Sequence, residues 1–405
     1  MIDLSNQMIY RISNLDVKNE KISYQMSTGK VLQNGSDDSV LYARYLNVEN
    51  KLRDTEGIKI QLDKTVAQNN VADDTIAEVK TTLESTKQEL LKSLNSGMTR
   101  SDRIAVATSM SGMRDNLLRL ANTQIDGEYI FAGSNTTVMP YTKNADFVIN
   151  GQIDFNGNSH LRNIAVDNGV YRERGVPASD VFMYNTDTTA GDKKVSFTQE
   201  EMVVDQNGYS WKLNTAHDKL EKYNQDGTVT SGANTEYFVV TGNSSNPETF
   251  TTEDISTATH IKDTTKSGLI LEAKHNIFND LNVIINALKG YKTVSNDQSN
   301  NGEQESVMTD AEVRDVLSAN LEKVDNQYSA TNIGHAELGG RNAVFNTYLD
   351  SITTKTTHYN ILLQEINGAD IAKLSMQSKS LEMTYNALFS TVSKLSQLSL
   401  VNYIK

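Results

Sequence analysis

Between residues 41 and 94 apolar side chains return at alternating steps of four and three: Leu41, Tyr45, Val48 and Leu52, then Leu62, Val66, Ile76, Leu83, Leu90 and Leu94. The skipped members of that register are polar (Thr55, Lys59, Asn69, Asp73, Lys80 and Lys87), and Ala72, Val79 and Thr86 form a second stripe beside it. This predicts a long helix with an imperfect coiled-coil seam. A continuous helix of that span is about 80 Å long, with Gly57 the candidate bend. Gly97 suits a C-terminal cap, and Thr99 with Asp102 has capping-box spacing for the next start. The following helix carries Val106, Met110, Met113, Leu117 and Leu120 and doubles back on its predecessor.

From about 126 the period changes. "IDGEYIFAGSN", "DFVINGQIDFNGNS", "DQNGYSWKL" and "DGTVTSGANTEYFVV" alternate, carry β-branched and aromatic residues, and contain Asn-Gly or Asp-Gly turns. These are hairpin signals, so 126–265 reads as a β-rich insert holding the single tryptophan, Trp211. Helical spacing resumes with Leu271, His275, Phe278, Leu281, Ile285 and Leu288, and a polar loop follows. Thr309 and Glu312 then match a capping box. Val313, Leu317, Val324, Leu338, Phe345, Tyr348, Ile352, Tyr359, Leu362 and Ile366 share one register with polar Asn320, Gln327, Thr331, Arg341 and Lys355 and with Gly334. This second long helix matches the first in span, and the two are natural partners.

After "NGAD" (367–370), Leu374, Leu381, Leu388 and Leu395 recur every seven residues, with Tyr385 and Val392 between them. The first thirty residues carry a looser counterpart: Leu4, Met8, Ile12, Leu15, Ile22 and Met26. The expected fold is therefore mainly α with a β-rich inserted domain. A long antiparallel helical-bundle rod is built from both chain ends, with terminal coiled-coil helices and a β-rich head. Five segments follow: an assembly helix and hinge (1–35), half of the rod (36–125), the head (126–265), the other half of the rod (266–366) and a C-terminal assembly helix (367–405).

The breaks resemble each other. Asn34-Gly35-Ser36-Asp37 and Asn367-Gly368-Ala369-Asp370 each place a turn before an acidic residue able to cap the next helix, so Asn34, Gly35, Asp37, Asn367, Gly368 and Asp370 are read as hinges. The terminal helices carry too little apolar side chain to offset the entropy of ordering them as an isolated pair. Leu4, Met8, Ile12, Leu15, Ile22, Leu374, Leu381, Tyr385, Leu388, Val392 and Leu395 are accordingly the expected assembly interface. Both ends are expected to lack fixed structure in a single copy and to order when neighbouring copies supply the missing burial.

Composition narrows the picture. The chain has 405 residues, a net charge of -13, no cysteine and three prolines, Pro140, Pro177 and Pro247, all in the middle. Proline-free flanks are what long uninterrupted helices require. The acidic balance argues against nucleic-acid binding, and the absence of cysteine excludes disulfides, zinc-thiolate sites and thiol nucleophiles. The longest apolar run, "DLNVIINAL", is too short to insert into a membrane, and "MIDLSNQMIYRISNL" lacks the pattern of a cleavable secretory signal.

Catalytic chemistry finds little support. "MSTGKVLQNGSDDSV" (26–40) has Gly29 and Gly35 with five residues between them and Ser36-Asp37 where a phosphate loop needs Gly-Lys-Ser. Asp37-Asp38 and Asp73-Asp74 point apart on a helix and belong to no calcium-type loop; Asp37-Asp38 suit a helix start. His160, His217, His260, His275, His335 and His358 are scattered without metal-ligand spacing. No Gly-x-Ser-x-Gly elbow occurs, so neither an enzymatic activity nor a cofactor is expected.

"SYQMSTGKVLQNGSDDS", "NNVADDTIAEVKTTLESTKQELLKSLNSGM", "DRIAVATSMSGMRDNLLRLANTQIDGEYIFAGSNT" and "LSLVNYI" together resemble the hook-associated protein 3 family, flagellin-related proteins of the bacterial hook–filament junction. The resemblance covers roughly 1–140 and 310–405, and "DGEYIFAG" (126–133) is its most specific piece. Ser39 stands where the family commonly has proline, and 141–265 does not align. The resemblance implies a structural part exported by the flagellar type III system from the cytoplasm to the extracellular flagellum. It further implies a ring of copies between a hook-side junction protein and filament flagellin, with a cytosolic export chaperone on the C-terminal helix. A filament-forming flagellin is the alternative within this architecture, and a secreted adhesin or glycan-binding module on a helical stalk is the alternative outside it.

Overall fold

The computed structural model describes residues 2–95, 97–144, 152–189, 193–224, 228, 235–243, 248–291 and 308–403. The chain divides into two compact units, Met1–Ile60 with Leu349–Lys405, and Gln61–Tyr348. Its long helices are α1 (Ile2–Thr28), α2 (Ser39–Ser93), α3 (Arg100–Ala121), α4 (Ile277–Lys289), α5 (Asp310–Asn367) and α6 (Ile371–Tyr403). The fold is mainly α with a β-rich insert, as the periodicities predict.

In the second unit the predicted stripes become the core. Leu62, Ile76, Leu83 and Leu90 of α2 are buried, as are Val313, Leu317, Val324, Leu338 and Phe345 of α5 and Met110, Leu117 and Leu120 of α3. Helices α2 and α5 run antiparallel: Asn70 meets Asn342, Asp73 meets His335, and Glu84 meets Tyr328. Helix α3 doubles back along α2, with Arg119 and Glu78 3.0 Å apart. Both predicted capping boxes form. Thr99 and Asp102 exchange bonds at the start of α3; Thr309 and Glu312 do so beside α5. Two orphan backbone donors are satisfied each time.

The insert is built on an eight-stranded antiparallel sheet of β7 (Met183–Thr188), β8 (Ser196–Thr198), β9 (Met202–Asp205), β10 (Ser210–Leu213), β11 (Lys219–Lys222), β12 (Tyr237–Asn243), β13 (Thr249–Thr252) and β14 (Leu271–Asn276). Their order is β7-β14-β9-β10-β11-β12-β13-β8. Trp211, Phe238, Phe197, Phe250, Leu220 and Val203 form its apolar core. The buried Trp211 indole donates to Asp205 at 3.2 Å, so its polar edge is not stranded. All four hairpin signals reach described strands: "QIDF" holds the strand Ile153–Phe155. "DQNGYSWKL" makes the β9–β10 hairpin, "EYFVV" begins β12, and "IDGEY" makes the hairpin of β1 (Gln124–Ile125) and β2 (Glu128–Tyr129). There Asp126 and Gly127 both take positive φ, 52° and 79°, the Asp-Gly chemistry of a tight hairpin. "DFVING" and the Asp-Gly turn at 226–227 lie outside the described residues. Two further hairpins pair β3 (Tyr141–Lys143) with β4 (Ile153–Phe155), and β5 (Arg162–Asp167) with β6 (Val170–Arg174).

One expectation is corrected here. The helical spacing read from Leu271 onward starts too early. Leu271 and His275 belong to strand β14, which pairs with both β7 and β9, and α4 begins at Ile277 with Asn276 as its N-cap. A short apolar run fits either period, and the sheet decides it.

In the first unit α1 and α6 pack on each other along one seam. The expected lack of fixed structure in a single copy is not what the chain shows: both ends are helices and partner one another. The physical basis of the expectation survives in the burial. Leu374 is buried, but Met8, Ile12, Leu15, Ile22, Leu381, Tyr385, Leu388 and Val392 are only half-buried. Two helices cover one face of each other and leave the rest in water.

Candidate assembly site

The two sequence breaks form one joint. Helix α1 ends at Thr28, and Gly29 turns the chain at φ +67°. Lys30 then forms an isolated antiparallel bridge with Gly368. Val31 N donates to Asn367 O at 2.8 Å, and Ala369 N donates to Gly29 O at 2.9 Å. The buried Asn367 side chain completes the link, its Oδ1 accepting from Leu32 N at 2.7 Å. Gln25, on the last turn of α1, donates through Nε2 to Val31 O at 2.8 Å. Gly368 has no room for a side chain: a Cβ there would lie 2.2 Å from Gln364 O.

The acidic residues of the joint divide their work. Asp37 closes the turn instead of capping α2: its Oδ2 accepts from Gln33 N and Asn34 N, both at 3.0 Å, and Lys21 of α1 stands 3.1 Å from Oδ1. These backbone and lysine donors hold the Asp37 carboxyl below the usual range. Asp38 is the cap of α2, accepting from Val40 N and Leu41 N at 3.1 and 2.9 Å. Asp370 caps α6 through Lys373 N at 3.0 Å. Gly35 lies under Tyr42, whose ring would be 3.0 Å from an added Cβ.

Beyond the joint the α1–α6 seam carries the predicted stripe, and the Tyr385 hydroxyl donates to Asp16 across it. That bond pushes the phenol up to about 12. The side chains of Leu4 and Leu395 lie outside the described residues. A second stripe escaped the sequence reading. On α1, Tyr10 and Val17 stand seven apart, two residues from the inward set; on α6, Met376 and Met383 stand two residues from Leu374 and Leu381. Two residues turn a helix by about 200°, so these side chains face directly away from the seam. Tyr10 is 70% exposed, Val17 63%, Met376 68% and Met383 61%. A helix apolar on opposite faces has the pattern of one buried on both sides. The seven-residue spacing was the available signal.

The second unit contains dense charge clusters, and their geometry is that of joints. Asp280 on α4, almost fully buried, takes Tyr184 Oη and Lys323 Nζ at 2.8 Å and His275 Nε2 at 3.3 Å. Burial works against ionisation of His275, but Asp280 outweighs it and raises the imidazole pKa. Glu128, in "DGEYIFAG", accepts from Arg162 at 3.0 Å, Gln68 at 3.1 Å and Arg174 at 3.2 Å. Burial pushes its pKa up, and those donors overcome it, lowering it to about 2. Among the described residues no cluster of three or more His, Asp or Glu is placed to hold a metal, and no helix is long and apolar enough to cross a membrane.

Residues 3–136 match the bacterial flagellin N-terminal helical region. More particularly, the chain is similar to flagellar hook-associated protein 3. It is 30% identical to that protein of Escherichia coli over 155 residues, 36% of this chain and 48% of the relative. It is 30% identical to that of Salmonella typhimurium over 146 residues, 34% of this chain and 45% of the relative. The chain thus spans about half the length of the curated relatives it matches. Among solved structures, FlgL of Xanthomonas campestris is similar at 15% identity, covering 78% of this chain and 99% of that one, with a TM-score of 0.48.

Proposed function

We propose that this protein is a structural component of the bacterial flagellum that forms the junction between hook and filament. It is exported by the flagellar type III system and assembles through its terminal helices. The observation that carries this reading is the likeness to flagellar hook-associated protein 3 of a chain whose residues 3–136 match the flagellin N-terminal helical region. The two-faced terminal helices support it: the inward stripe of Met8, Ile12, Leu15, Ile22, Leu374, Leu381, Tyr385, Leu388 and Val392 pairs α1 with α6. The outward stripe is left for neighbouring copies in a ring. Leu4 and Leu395 extend the inward stripe by spacing alone.

On this reading the segments 1–35 and 367–405 assemble, 36–125 with 266–366 support them, and 126–265 projects as a head. The joint of Asn34, Gly35, Asp37, Asn367, Gly368 and Asp370 ties the two terminal helices together so that they move as a pair. The partners are a hook-side junction protein, filament flagellin and, before export, a cytosolic chaperone on α6. The role is structural and involves no catalysis.

A filament subunit is the second reading, favoured by the flagellin N-terminal match itself. Deleting the gene separates the two. Loss of a junction protein leaves finished hooks while filament protein is shed into the medium; loss of a filament subunit leaves a completed junction and sheds nothing.

A further inference from the structure

We propose that the β-rich insert is a fixed arm, and that its orientation is set by a docking stripe on α5 made of Gln327, Thr331, Gly334 and Arg341. This goes beyond the proposed function and bears on the insert. Three of these residues interrupt an apolar register as polar side chains. Buried polar residues in such a register commonly fix the pairing of two helices, and here they do something else. Gln327 and Thr331 are fully buried, and neither reaches across to α2 for its bond. Gln327 Nε2 donates to Val181 O at 2.7 Å, and Thr331 Oγ1 stands 2.8 Å from the same oxygen. A carbonyl has two lone pairs, so one oxygen accommodates both donors.

Val181 closes a short helical turn, Ala178–Val181, in the link between β6 and β7. Carbonyls at such an end lack partners of their own, and α5 supplies them. One turn further along, Gly334 lets the link approach: a Cβ there would stand 2.8 Å from Asp180 O. Arg341 Nη1 then donates to Gly175 O at 2.9 Å. The four positions fall on one face of α5 over about 20 Å of helix. From the other side, Phe131 O accepts from Ala178 N at 2.8 Å, and the Phe182 ring packs 5.6 Å from Phe131 and 5.9 Å from Phe278. The link is therefore clamped between α5 and an aromatic cluster immediately before the sheet begins at β7. A module joined only by its chain connections moves relative to its support; this one is bolted along the helix.

The chain has no cysteine, so nitroxide labels can be placed at Thr81→Cys on α2 and Ala216→Cys in the β10–β11 turn, both exposed. Pulsed electron paramagnetic resonance on the full chain should give one narrow distance population. Gly334→Leu should broaden or displace it. Gly339→Leu should leave it unchanged, because nothing lies within 4 Å of a Cβ at Gly339. If circular dichroism shows that Gly334→Leu fails to fold, the double variant Gln327→Met, Thr331→Val takes its place and should broaden the population likewise. A broad distribution in the parent protein, or docking-stripe variants indistinguishable from Gly339→Leu, would overturn the proposal.

Discussion

Replacing Asn367 by alanine tests the joint at its most specific bond. Asn367 Oδ1 is the acceptor for Leu32 N at 2.7 Å, and both residues are buried. Truncation leaves a buried N–H without a partner, which costs roughly 1–3 kcal/mol. The backbone bonds Val31 N–Asn367 O and Ala369 N–Gly29 O do not involve the side chain and should persist. At ~1.36 kcal/mol per tenfold change, the local opening equilibrium should rise about 5- to 160-fold. Native-state amide exchange reads this directly: protection of Leu32 should fall by that factor and that of Val31 by less. Amides in the buried stretch of α2 around Ile76 and Leu83 should be unaffected, because they lie in the other compact unit. Unchanged protection at Leu32 would refute the clamp; an equal loss throughout α2 would refute its local character.

Leu388→Asp puts a charge into the half-buried α1–α6 seam and should abolish assembly in complementation of a deletion strain, while circular dichroism retains most of the helix signal; wholesale loss of helix would contradict it. Glu128→Gln should destabilise the Gln61–Tyr348 unit at neutral pH by less than the ~3.4 kcal/mol that a fall from 4.5 to about 2 represents at ~1.36 kcal/mol per unit, because solvent screens this partly exposed carboxyl. The folded-state pKa is depressed, so this contribution is present above pH 4.5 and lost as pH falls toward 2; denaturant melts of both proteins across that window should converge at the acid end. The folded-state pKa of His275 is raised above 6.5, so its contribution is full below that value and fades as pH rises through the higher one. His275→Gln should flatten that alkaline decline in thermal melts, and an identical slope would contradict the sign.

Much of this molecule was readable in its sequence, for a physical reason: period reports burial. Leu62, Ile76, Leu83 and Leu90 repeat at helical spacing because one face of α2 is out of water, and the Asp-Gly at 126–127 announces its hairpin because few residues tolerate two successive positive φ values. Strand β14 was misread because Leu271, His275 and Phe278 satisfy helical spacing over too short a run. The clamp at Asn367 was invisible for another reason: its partner, Leu32, is 335 positions away, and no local pattern reports such a pairing. Gln327 and Thr331 looked like imperfections in a seam until the carbonyl of Val181 gave them a purpose. The outward faces of α1 and α6 were overlooked because tyrosine and methionine among polar neighbours read as solvated surface.

Immunogold electron microscopy of intact flagella, with antibody raised against the β10–β11 face of the head, measures the location on which the account rests. A single band of gold at the boundary between hook and filament is the predicted result. Gold distributed along the whole filament, or absent from the flagellum, would contradict it.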